Sequence, residues 1–515
     1  MQKKFFKPIT AGSAMAMITI TTFISYAIGL LRDRVIAVNF GTSAATDTYN
    51  AAFLIPDTLF VTFIAGALAA AFLPIFSEYL IKDKKEAYKI ANTVLTAGTL
   101  LISALAILAF IFMHNLVPLL FPEVPLDAQK DIIGMTRLML SSAIFFTISN
   151  SLGNILMSYK HFLSYSLSPI VYNLGIILGV IFLSEQLGIY SAAIGVIIGG
   201  FLHCLVRIFD TLSTDYKFKP QLDIKNPGFI RIIKLMIPRT IGLISWQINL
   251  YMFSVVGMKL MDGGLAAFNF ARNIQSFAVS MIGISFATAI FPDLSISITN
   301  NDPEAYTSHV QKTSQRILFF TIPAMVGIIM LSRPLVELIL AGGVFDESSI
   351  ALTSLILFYF AISIPFESLT HILQRAFYAK QDTKTPMMVS IVSMFLMAFC
   401  TYTVASKYGI QWFPIGFTLG MAFQVLAMTF LGRKSFKSFK HKEFIMSLSK
   451  TFLASGLMAV VLLLTPQLAD YVPEKISHIL RIFIGGGTFF IVAFMLKSPE
   501  LSSVKYVWQR IIRKS

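Results

Sequence analysis

The chain has 515 residues, of which 56% are hydrophobic and only 13% are charged, and its mean hydropathy is +0.74. Soluble globular proteins are about a quarter charged, so this composition excludes a water-soluble fold and predicts an all-α polytopic membrane protein. The net charge of +15 does not indicate nucleic-acid binding, because the bases lie in short loops between apolar segments.

About fourteen apolar segments are long enough to cross a bilayer core, which takes about 20 helical residues. The first is interpreted as a retained span, because it exceeds the length of a signal-peptide core and lacks a small-residue cleavage site. Pro56 and Gly66 in the second span and Pro365 in the tenth predict bent or broken helices beside a cavity. In chain order the predicted spans are 12–31, 48–77, 90–113, 133–158, 164–183, 188–207, 232–258, 265–298, 317–332, 350–378, 385–405, 412–431, 445–465 and 477–496.

The loops between these spans alternate in charge. Loops after even-numbered spans are rich in Lys and Arg, and Arg207 is counted among their bases, whereas the other loops are poor in bases and lean acidic. Arg32 and Arg34 are the exception to this alternation, because they follow the first span. By the positive-inside rule, this pattern predicts an even number of spans with both termini in the cytoplasm.

Parts of the sequence repeat at a nearly constant offset. LGNILMSYKHFLSYSLSP, ending at Pro169, resembles LTHILQRAFYAKQDTKTP, ending at Pro386, and AFLPIFS similarly resembles AIFPDLS. The offset spans six predicted helices, which predicts two six-helix lobes around a central cavity plus two C-terminal helices. The predicted divisions are an N-lobe at 1–210, a cytoplasmic linker at 211–231, a C-lobe at 232–435, and the last two helices with a basic tail at 436–515.

The first polar cluster is GLLRDR, which begins at Gly29 and is followed by Asp47. Ionisable groups within a span cost several kcal/mol and usually mark a transport pathway. One interpretation is that the arginines snorkel to the interface as anchors. The other is a phosphate site, in which the planar fork of Arg32 binds phosphate oxygens and Asp33 orients it.

The second polar cluster lies in the seventh and eighth spans, where Pro238 and Gly242 predict a loosened helix. The polar residues are Arg239, Gln247 and Asn249 in the seventh span, and Asn269, Arg272, Asn273 and Gln275 in the eighth. They can act as hydrogen-bonding contacts between helices. Alternatively they form a cavity wall that binds a headgroup, with Arg272 as a second phosphate ligand.

The third cluster, RAFYAKQDTKTP, predicts a helix end and a tight cytoplasmic turn. Asp382 can cap the following helix, with Pro386 in its first turn, so a structural role is favoured. Arg375 and Lys380 can also contact anionic headgroups at this face.

Several motifs of energy-coupled or enzymatic chemistry are absent from the sequence. There is no Gly-rich loop followed by Lys-Ser/Thr, no GxSxG or HExxH, and no metal-ligand cluster among the seven histidines. The two cysteines, Cys204 and Cys400, lie in apolar stretches and give no disulfide framework. We therefore expect a transporter without an ATPase motif, a catalytic residue, a metal or a cofactor.

From about residue 11 to 500, the sequence resembles the MurJ (MviN) lipid II flippases of the MOP exporter superfamily. The most specific segments are GLLRD, ATDTYNAAFLIPD, AFLPIFSEY, the MIPxxxGxxxxQIN run and RAFYAKQDTKTP. The resemblance implies fourteen helices and a V-shaped cavity between two lobes. It also implies a location in the bacterial cytoplasmic (inner) membrane and export of a lipid-linked disaccharide-pentapeptide by alternating access. Arg32, Asp33 and Asp47 match acidic and basic positions of the family motifs.

The chain departs from the family where cavity charges are usual. Ser25-Tyr26 stands in place of Ser-Arg, Phe60 and Val61 replace an arginine pair, and the eighth span reads Ala271-Arg272-Asn273 with Ser276 in place of a common Glu. Phe253 replaces an acid that resembles a sodium ligand in some members, which disfavours coupling to a monovalent cation.

The first hypothesis is a lipid II flippase in which Arg32 and Arg272 bind the diphosphate, assisted by Asp33, Asp47, Asn273, Gln247 and Asn249. Its polyprenyl tail would follow a groove beside the last two helices, and membrane lipids and cell-wall synthesis proteins are the expected partners. The alternatives are a flippase of another polyprenyl-linked glycan, a cation-coupled exporter of the same superfamily, and a membrane scaffold without transport.

Overall fold

The computed structural model describes residues 11–61, 66–436, 438–465 and 471–501. These residues are almost entirely helical and contain no strand, only an isolated bridge between Gly342 and Phe345. The first helices are α1 (Ala11–Phe40), α2 (Ala44–Ala52), α3 (Leu54–Phe60), α4 (Gly66–Lys82), α5 (Lys84–Leu120), α6 (Leu126–Ser158), α7 (Leu163–Leu187), α8 (Tyr190–Thr211) and α9 (Pro227–Leu260). They are followed by α10 (Gly264–Val279), α11 (Ser285–Thr299), α12 (Pro303–Met330), α13 (Ser332–Leu340), α14 (Glu347–Ala361), α15 (Ile364–Ala379), α16 (Lys384–Phe399), α17 (Ser406–Tyr408), α18 (Trp412–Gly432), α19 (His441–Leu463) and α20 (Glu474–Met495).

Every predicted span coincides with one helix or with a run of broken helices, which confirms the all-α membrane fold. Within the described ranges, ten helices are long and apolar enough to cross a membrane, or eleven if one bent pair forms a single span. The count of fourteen stays a prediction. The helices extend past the predicted apolar runs because polar end residues continue the hydrogen-bond ladder outside the hydrocarbon.

The helices break where the sequence contains proline and glycine. The second predicted span becomes α2, α3 and α4, with Pro56 in the first turn of α3 and Gly66 as the first residue of α4. The tenth becomes α14 and α15, which meet at a 45° bend with Pro365 in the first turn of α15. Proline fits a first turn because its missing N–H would have no helical partner there. Two π-helical segments, Ser280–Ile284 and Cys400–Ala405, interrupt the eighth and eleventh spans.

The chain forms two compact units, which we describe separately. Unit 1 comprises residues 1–266 and 342–346, and unit 2 comprises 267–341 and 347–515. In unit 1, α9 packs on α4 and α5, and α7 packs closely on α8 and α1. In unit 2, α12 packs on α15 and α19, and α19 packs on α20. The boundaries at 210 and 232 that the sequence suggested stay predictions.

Small residues allow α7 and α8 to approach closely in unit 1. A Cβ atom added at Gly175 would lie 2.4 Å from the Cα of Gly199, and one added at Gly179 would lie 2.6 Å from the Cα of Gly195. Helices in lipid gain stability from such backbone contact, because no hydrophobic effect drives their association there. This interface therefore tolerates only glycine at these positions without a shift of the helices.

The two repeated segments form turns of the same geometry. In the turn between α6 and α7, Lys160 has φ 60° and the amide of His161 donates to the carbonyl of Leu156. In the turn between α15 and α16, Gln381 has φ 60° and the amide of Asp382 donates to the carbonyl of Phe377. The turns correspond at an offset of 221 residues, one helical turn more than the proline-to-proline match at 217. The difference arises because Pro169 lies in the second turn of α7, whereas Pro386 lies in the first turn of α16.

Asp382 caps the start of α16. Its Oδ1 accepts from the amide of Thr385 at 3.0 Å, and its Oδ2 accepts from the Thr385 hydroxyl at 2.7 Å. Arg375 donates to Thr288 Oγ1 at 2.7 Å, and Lys380 lies over the ring of Tyr306. The polar groups of this turn are therefore largely bound to the protein itself.

Candidate functional site

Arg32 lies in α1, and all three nitrogens of its guanidinium contact two neighbours in unit 1. Its Nε and Nη2 donate to Asp33 Oδ1 at 3.1 and 2.7 Å, and its Nη1 donates to Asn173 Oδ1 of α7 at 3.1 Å. Asn173 is itself oriented, because its Nδ2 donates to the carbonyl of Pro169 at 3.0 Å. The Arg32 side chain is 23% exposed and that of Asp33 only 5%. The guanidinium is thus held in place by hydrogen bonds, and the Arg32 side chain is half-buried.

Aromatic hydroxyls surround this guanidinium. Tyr49 of α2 and Tyr172 of α7 lie within electrostatic range of Arg32, and Asp57 of α3 lies within range of Tyr172. Tyr49 is buried, and Tyr172 is half-buried. Gly29 lies one turn before Arg32, and a Cβ there would make only ordinary contact with Asn173, at 3.9 Å. Three helices therefore bring together the arginine and hydroxyl donors that suit a phosphate.

Asp47 holds the turn that leads into α10. Its carboxylate is 2% exposed and accepts from the amides of Gly263 at 2.8 Å and Ala266 at 2.7 Å. Gly263 has φ +78°, and a Cβ there would lie 2.2 Å from the carbonyl oxygen of Thr42, so this turn needs glycine. A carboxylate bound to backbone amides at a helix start is a cap. In this conformation both carboxylate oxygens of Asp47 bind backbone amides of the protein.

Gln247 and Asn249 of α9 are 5% and 2% exposed. Neither Nε2 nor Oε1 of Gln247 has a hydrogen-bond partner in the structure. A buried polar group without a partner usually indicates a water or ligand, since its desolvation is otherwise uncompensated. Pro238 and Gly242 lie within α9, but their side-chain surroundings fall outside the described part of the chain. Phe253, at the position of the family acid, is buried.

A second polar cluster lies in unit 2. Gln275 of α10 is 1% exposed, and its Nε2 donates to Ser363 Oγ at 3.0 Å and to Glu367 Oε2 at 2.7 Å. Arg272, one turn earlier on α10, lies within electrostatic range of Glu367. Asn273 is half-buried on the same helix.

The sequence interpretation missed Glu367. It is the only acidic residue in the predicted span 350–378 and follows Pro365 by two positions. An ionisable residue within a span is a functional candidate by default, so this signal was present in the sequence. What the sequence could not supply is its contact with Gln275, which lies 92 positions away.

Arg207 was counted as a base of a cytoplasmic loop, and this was wrong. It lies within α8 and is 3% exposed, with its Nη1 bound to the carbonyl of Ser149 at 2.9 Å and its Nε bound to Ser168 Oγ at 3.2 Å. Its guanidinium also lies over the ring of Tyr165. Arg207 therefore joins α6, α7 and α8. The loop assignment was wrong because α8 continues past the end of the predicted span, to Thr211.

An apolar cavity of about 320 Å³ lies between α12, α19 and α20. Its floor includes Gly485 and Gly486, which leave room that larger side chains would fill. Its walls are formed by apolar side chains, among them Phe320, Leu331, Met458, Leu462, Phe489 and Phe490. This cavity has the position of the predicted groove beside the last two helices and suits a hydrocarbon chain.

One trio in the described part of the chain has the spacing of metal ligands: Glu337, Glu474 and His478. His478 Nε2 lies 2.8 Å from Glu337 Oε2, and Arg333 Nε lies 2.7 Å from Glu337 Oε1. Both carboxylate oxygens of Glu337 are therefore occupied by protein groups, and the contact of Glu337 with His478 joins α13 to α20.

Comparison with known proteins supplies the family context for these sites. Residues 36–483 match the family model described as lipid II flippase MurJ. The probable lipid II flippase MurJ of Rickettsia prowazekii is 27% identical over 92% of this chain and 96% of its own length. That of Buchnera aphidicola subsp. Schizaphis graminum is 30% identical over 74% and 76%.

Two solved structures are also similar to this chain. A lipid II flippase MurJ in an inward closed conformation matches with a TM-score of 0.79 and 25% identity, over 93% of this chain and 98% of that one. An inward-facing multidrug resistance transporter of the MATE family, in the MOP superfamily, matches with a TM-score of 0.68 at 15% identity, over 84% and 99%. The second likeness concerns the fold alone.

Proposed function

The chain belongs to the lipid II flippase MurJ family, and from this premise we propose which of its own residues carry the transport. It is a membrane transporter, not an enzyme, and it moves lipid II from the inner to the outer face of the membrane by alternating access. The proposal concerns the groups that bind the diphosphate, the surface that receives the polyprenyl tail, and the source of energy.

We propose that Arg32 binds the diphosphate of lipid II. The observation that carries this is the fixation of its guanidinium by Asp33 and Asn173. Each terminal nitrogen of an arginine carries two N–H groups, so one on each remains after these contacts. N–H donors on a pre-oriented plane can bind phosphate oxygens, and such charge-assisted bonds are stronger than neutral ones. Asp33 fixes the fork before the substrate arrives.

Arg272 is proposed as the phosphate ligand of unit 2, with Asn273 as a neighbouring hydrogen-bond donor. Gln247 and Asn249 are proposed to bind polar headgroup atoms, and the unpartnered amide of Gln247 supports this. Asp47 is proposed to act indirectly, by holding and releasing the turn before α10 as the transporter changes conformation. Gly29, Pro56, Gly66, Pro238, Gly242 and Pro365 are proposed to bend during this change, while Asp382 and Pro386 fix the turn before α16.

The apolar cavity between α12, α19 and α20 is proposed to receive the polyprenyl tail. Each buried methylene contributes about 0.8 kcal/mol when it leaves water, but a tail that moves from lipid into this cavity gains little. The cavity therefore guides the tail rather than supplying affinity, and the charged headgroup determines the strength of binding.

The membrane potential is proposed as the energy source, without a bound metal or cofactor. Moving one charge across 100 mV is worth about 2.3 kcal/mol, so one or two net charges per cycle would set the direction. The buried Phe253 supports this, because it leaves no carboxylate at that position for a cation. Both termini are proposed to lie in the cytoplasm, and cell-wall synthesis proteins are proposed as partners.

The proposal is tested by outward lipid II accessibility in cells that depend on this transporter. Arg32→Ala and Arg32→Lys should both abolish flipping, because lysine keeps the charge but not the planar fork. Arg137→Lys is the matched control: Arg137 is also in unit 1, but it donates to the carbonyl of Phe110. Normal flipping with both Arg32 variants would refute the assignment of Arg32 as the diphosphate ligand.

A further inference from the structure

A polar cavity of about 960 Å³ lies in unit 2, between the first halves of α12 and α19 and the segment that follows α20. Its volume is within the range of small-molecule sites. Four Lys or Arg side chains and four Asp or Glu side chains line it, so its charges balance. Such a lining favours a ligand that carries both signs of charge over a simple anion.

The polar cavity lies where α12 and α19 enter the hydrocarbon of the membrane. On α12 its lining ends at Arg316, and the apolar run of this helix begins at Ile317. On α19 its lining ends at Lys450, and the next turn exposes Phe452 and Leu453, at 52% and 53%. Lipid headgroups occupy the layer between hydrocarbon and water. The polar cavity is therefore at the depth of the headgroups.

Glu500 places a buried carboxylate at the edge of this cavity. It is 5% exposed, and its Oε1 accepts from Ser447 Oγ of α19. Its segment is tied down, because Lys450 Nζ donates to the carbonyl of Lys497 at 3.3 Å and Leu501 packs on a buried apolar cluster.

The second oxygen of this carboxylate has no hydrogen-bond partner. Glu500 Oε2 is buried, and no base in the described part of the chain lies within ion-pair distance of Glu500. A buried acceptor without a donor is costly, and it usually indicates a water or ligand. Because Glu500 lines the polar cavity, a cationic donor bound there supplies the missing partner.

Two bases of α12 line the same cavity. Lys312 is exposed and Arg316 is half-buried, and residues four apart share one face of a helix. Neither forms an ion pair with another of the residues that the structure describes, whereas Lys440 pairs with Glu443 at 3.1 Å. An arginine beside a lysine suits a phosphate group.

We propose that the polar cavity binds the headgroup of a zwitterionic aminophospholipid, of the chemistry of phosphatidylethanolamine. Its ammonium donates to Glu500 Oε2, its phosphate binds Lys312 and Arg316, and its acyl chains lie in the bilayer against α19. The bound lipid joins α12, α19 and the segment after α20. None of these residues belongs to the proposed diphosphate site.

A comparison of lipids with identical acyl chains tests this on the purified, delipidated full chain. The probes are phosphatidylethanolamine, phosphatidylcholine and phosphatidylglycerol, and their binding is measured by native mass spectrometry. Phosphatidylcholine keeps the positive charge but has no N–H group to donate. We expect wild type to bind phosphatidylethanolamine about tenfold more tightly than phosphatidylcholine, the effect of one hydrogen bond to a charged group.

Three variants assign the two ends of the headgroup. Glu500→Gln should remove most of this preference. Glu443→Gln is the matched control, because Glu443 lines the same cavity but is already paired with Lys440, and it should keep the preference. The double variant Lys312→Gln with Arg316→Gln should weaken both lipids alike, since they share the phosphate, and leave the ratio unchanged.

Equal affinity of wild type for phosphatidylethanolamine and phosphatidylcholine would overturn the proposal, as would a preference that survives in Glu500→Gln. Tighter binding of phosphatidylglycerol than of phosphatidylethanolamine would show an anionic-lipid site instead. If Glu500→Gln does not fold, wild type decides with N,N-dimethyl-phosphatidylethanolamine, which keeps one N–H group. Binding close to that of phosphatidylethanolamine supports the donated hydrogen bond, and binding as weak as that of phosphatidylcholine overturns it.

Discussion

Replacement of Asp47 by Asn should release the turn before α10. Asp47 is buried and accepts two backbone amides, from Gly263 and Ala266, at 2.8 and 2.7 Å. In Asp47→Asn one oxygen remains as an acceptor, while the new NH₂ group faces the second amide donor and leaves it unsatisfied. The loss of one charge-assisted bond and the orphaned donor cost about 2–3 kcal/mol. This corresponds to about a 30- to 150-fold higher population of the open turn.

Hydrogen–deuterium exchange measures this directly. The amides of Gly263 and Ala266 should lose about 30- to 150-fold of their protection in Asp47→Asn, because local opening determines their exchange rate. Asp262→Asn removes an exposed acid of the same turn and should leave these amides protected. Unchanged protection in Asp47→Asn, or an equal loss in Asp262→Asn, would refute the capping role of Asp47.

Three further perturbations probe the packing of α7 on α8, the apolar cavity and the turn before α16. Gly175→Ala places a Cβ 2.4 Å from the facing backbone of α8 and should lower the free energy of unfolding by about 1–3 kcal/mol. Gly487→Ala is the control, because a Cβ there meets no atom within 4 Å, and it should change the melting temperature little. Gly486→Leu fills the apolar cavity and should slow lipid II flipping, whereas Gly487→Leu, on the same helix outside the cavity, should not. Burial raises the pKa of Asp382, but hydrogen bonds from Thr385 outweigh it and hold this pKa below 3.8. The cap therefore stabilises α16 above pH 3.8 and is lost as the pH falls through the lowered pKa, so protection of the Thr385 amide should fall there in wild type. In Asp382→Ala, which removes both acceptor oxygens, this protection should already be low at neutral pH.

The spans of the fold could be predicted from the sequence because each signal is local. A run of about 20 apolar residues satisfies its backbone only as a helix in lipid, and the segments around Pro56 and Pro365 carry their own breaks. Likewise, Asp382 and Pro386 are close in sequence to the helix start that they fix.

The contacts that define the sites could not be predicted, because they join distant parts of the chain. Asn173 contacts Arg32 across 141 positions, and Gln275 contacts Glu367 across 92. The sequence interpretation also counted Arg207, the last residue of a predicted span, among the loop bases, since a charge count does not show that neighbouring helices bury this side chain. Which polar side chains pair within lipid depends on which helices pack together, and a local sequence pattern does not contain this information.

The central claim is that the fixed guanidinium of Arg32 binds the diphosphate of lipid II. A density map of the full chain with lipid II bound tests it most directly. We expect phosphate oxygens about 3 Å from the terminal nitrogens of Arg32, with the Asp33 and Asn173 contacts retained. A diphosphate bound elsewhere, with Arg32 still turned to its protein neighbours and away from the substrate, would contradict the account.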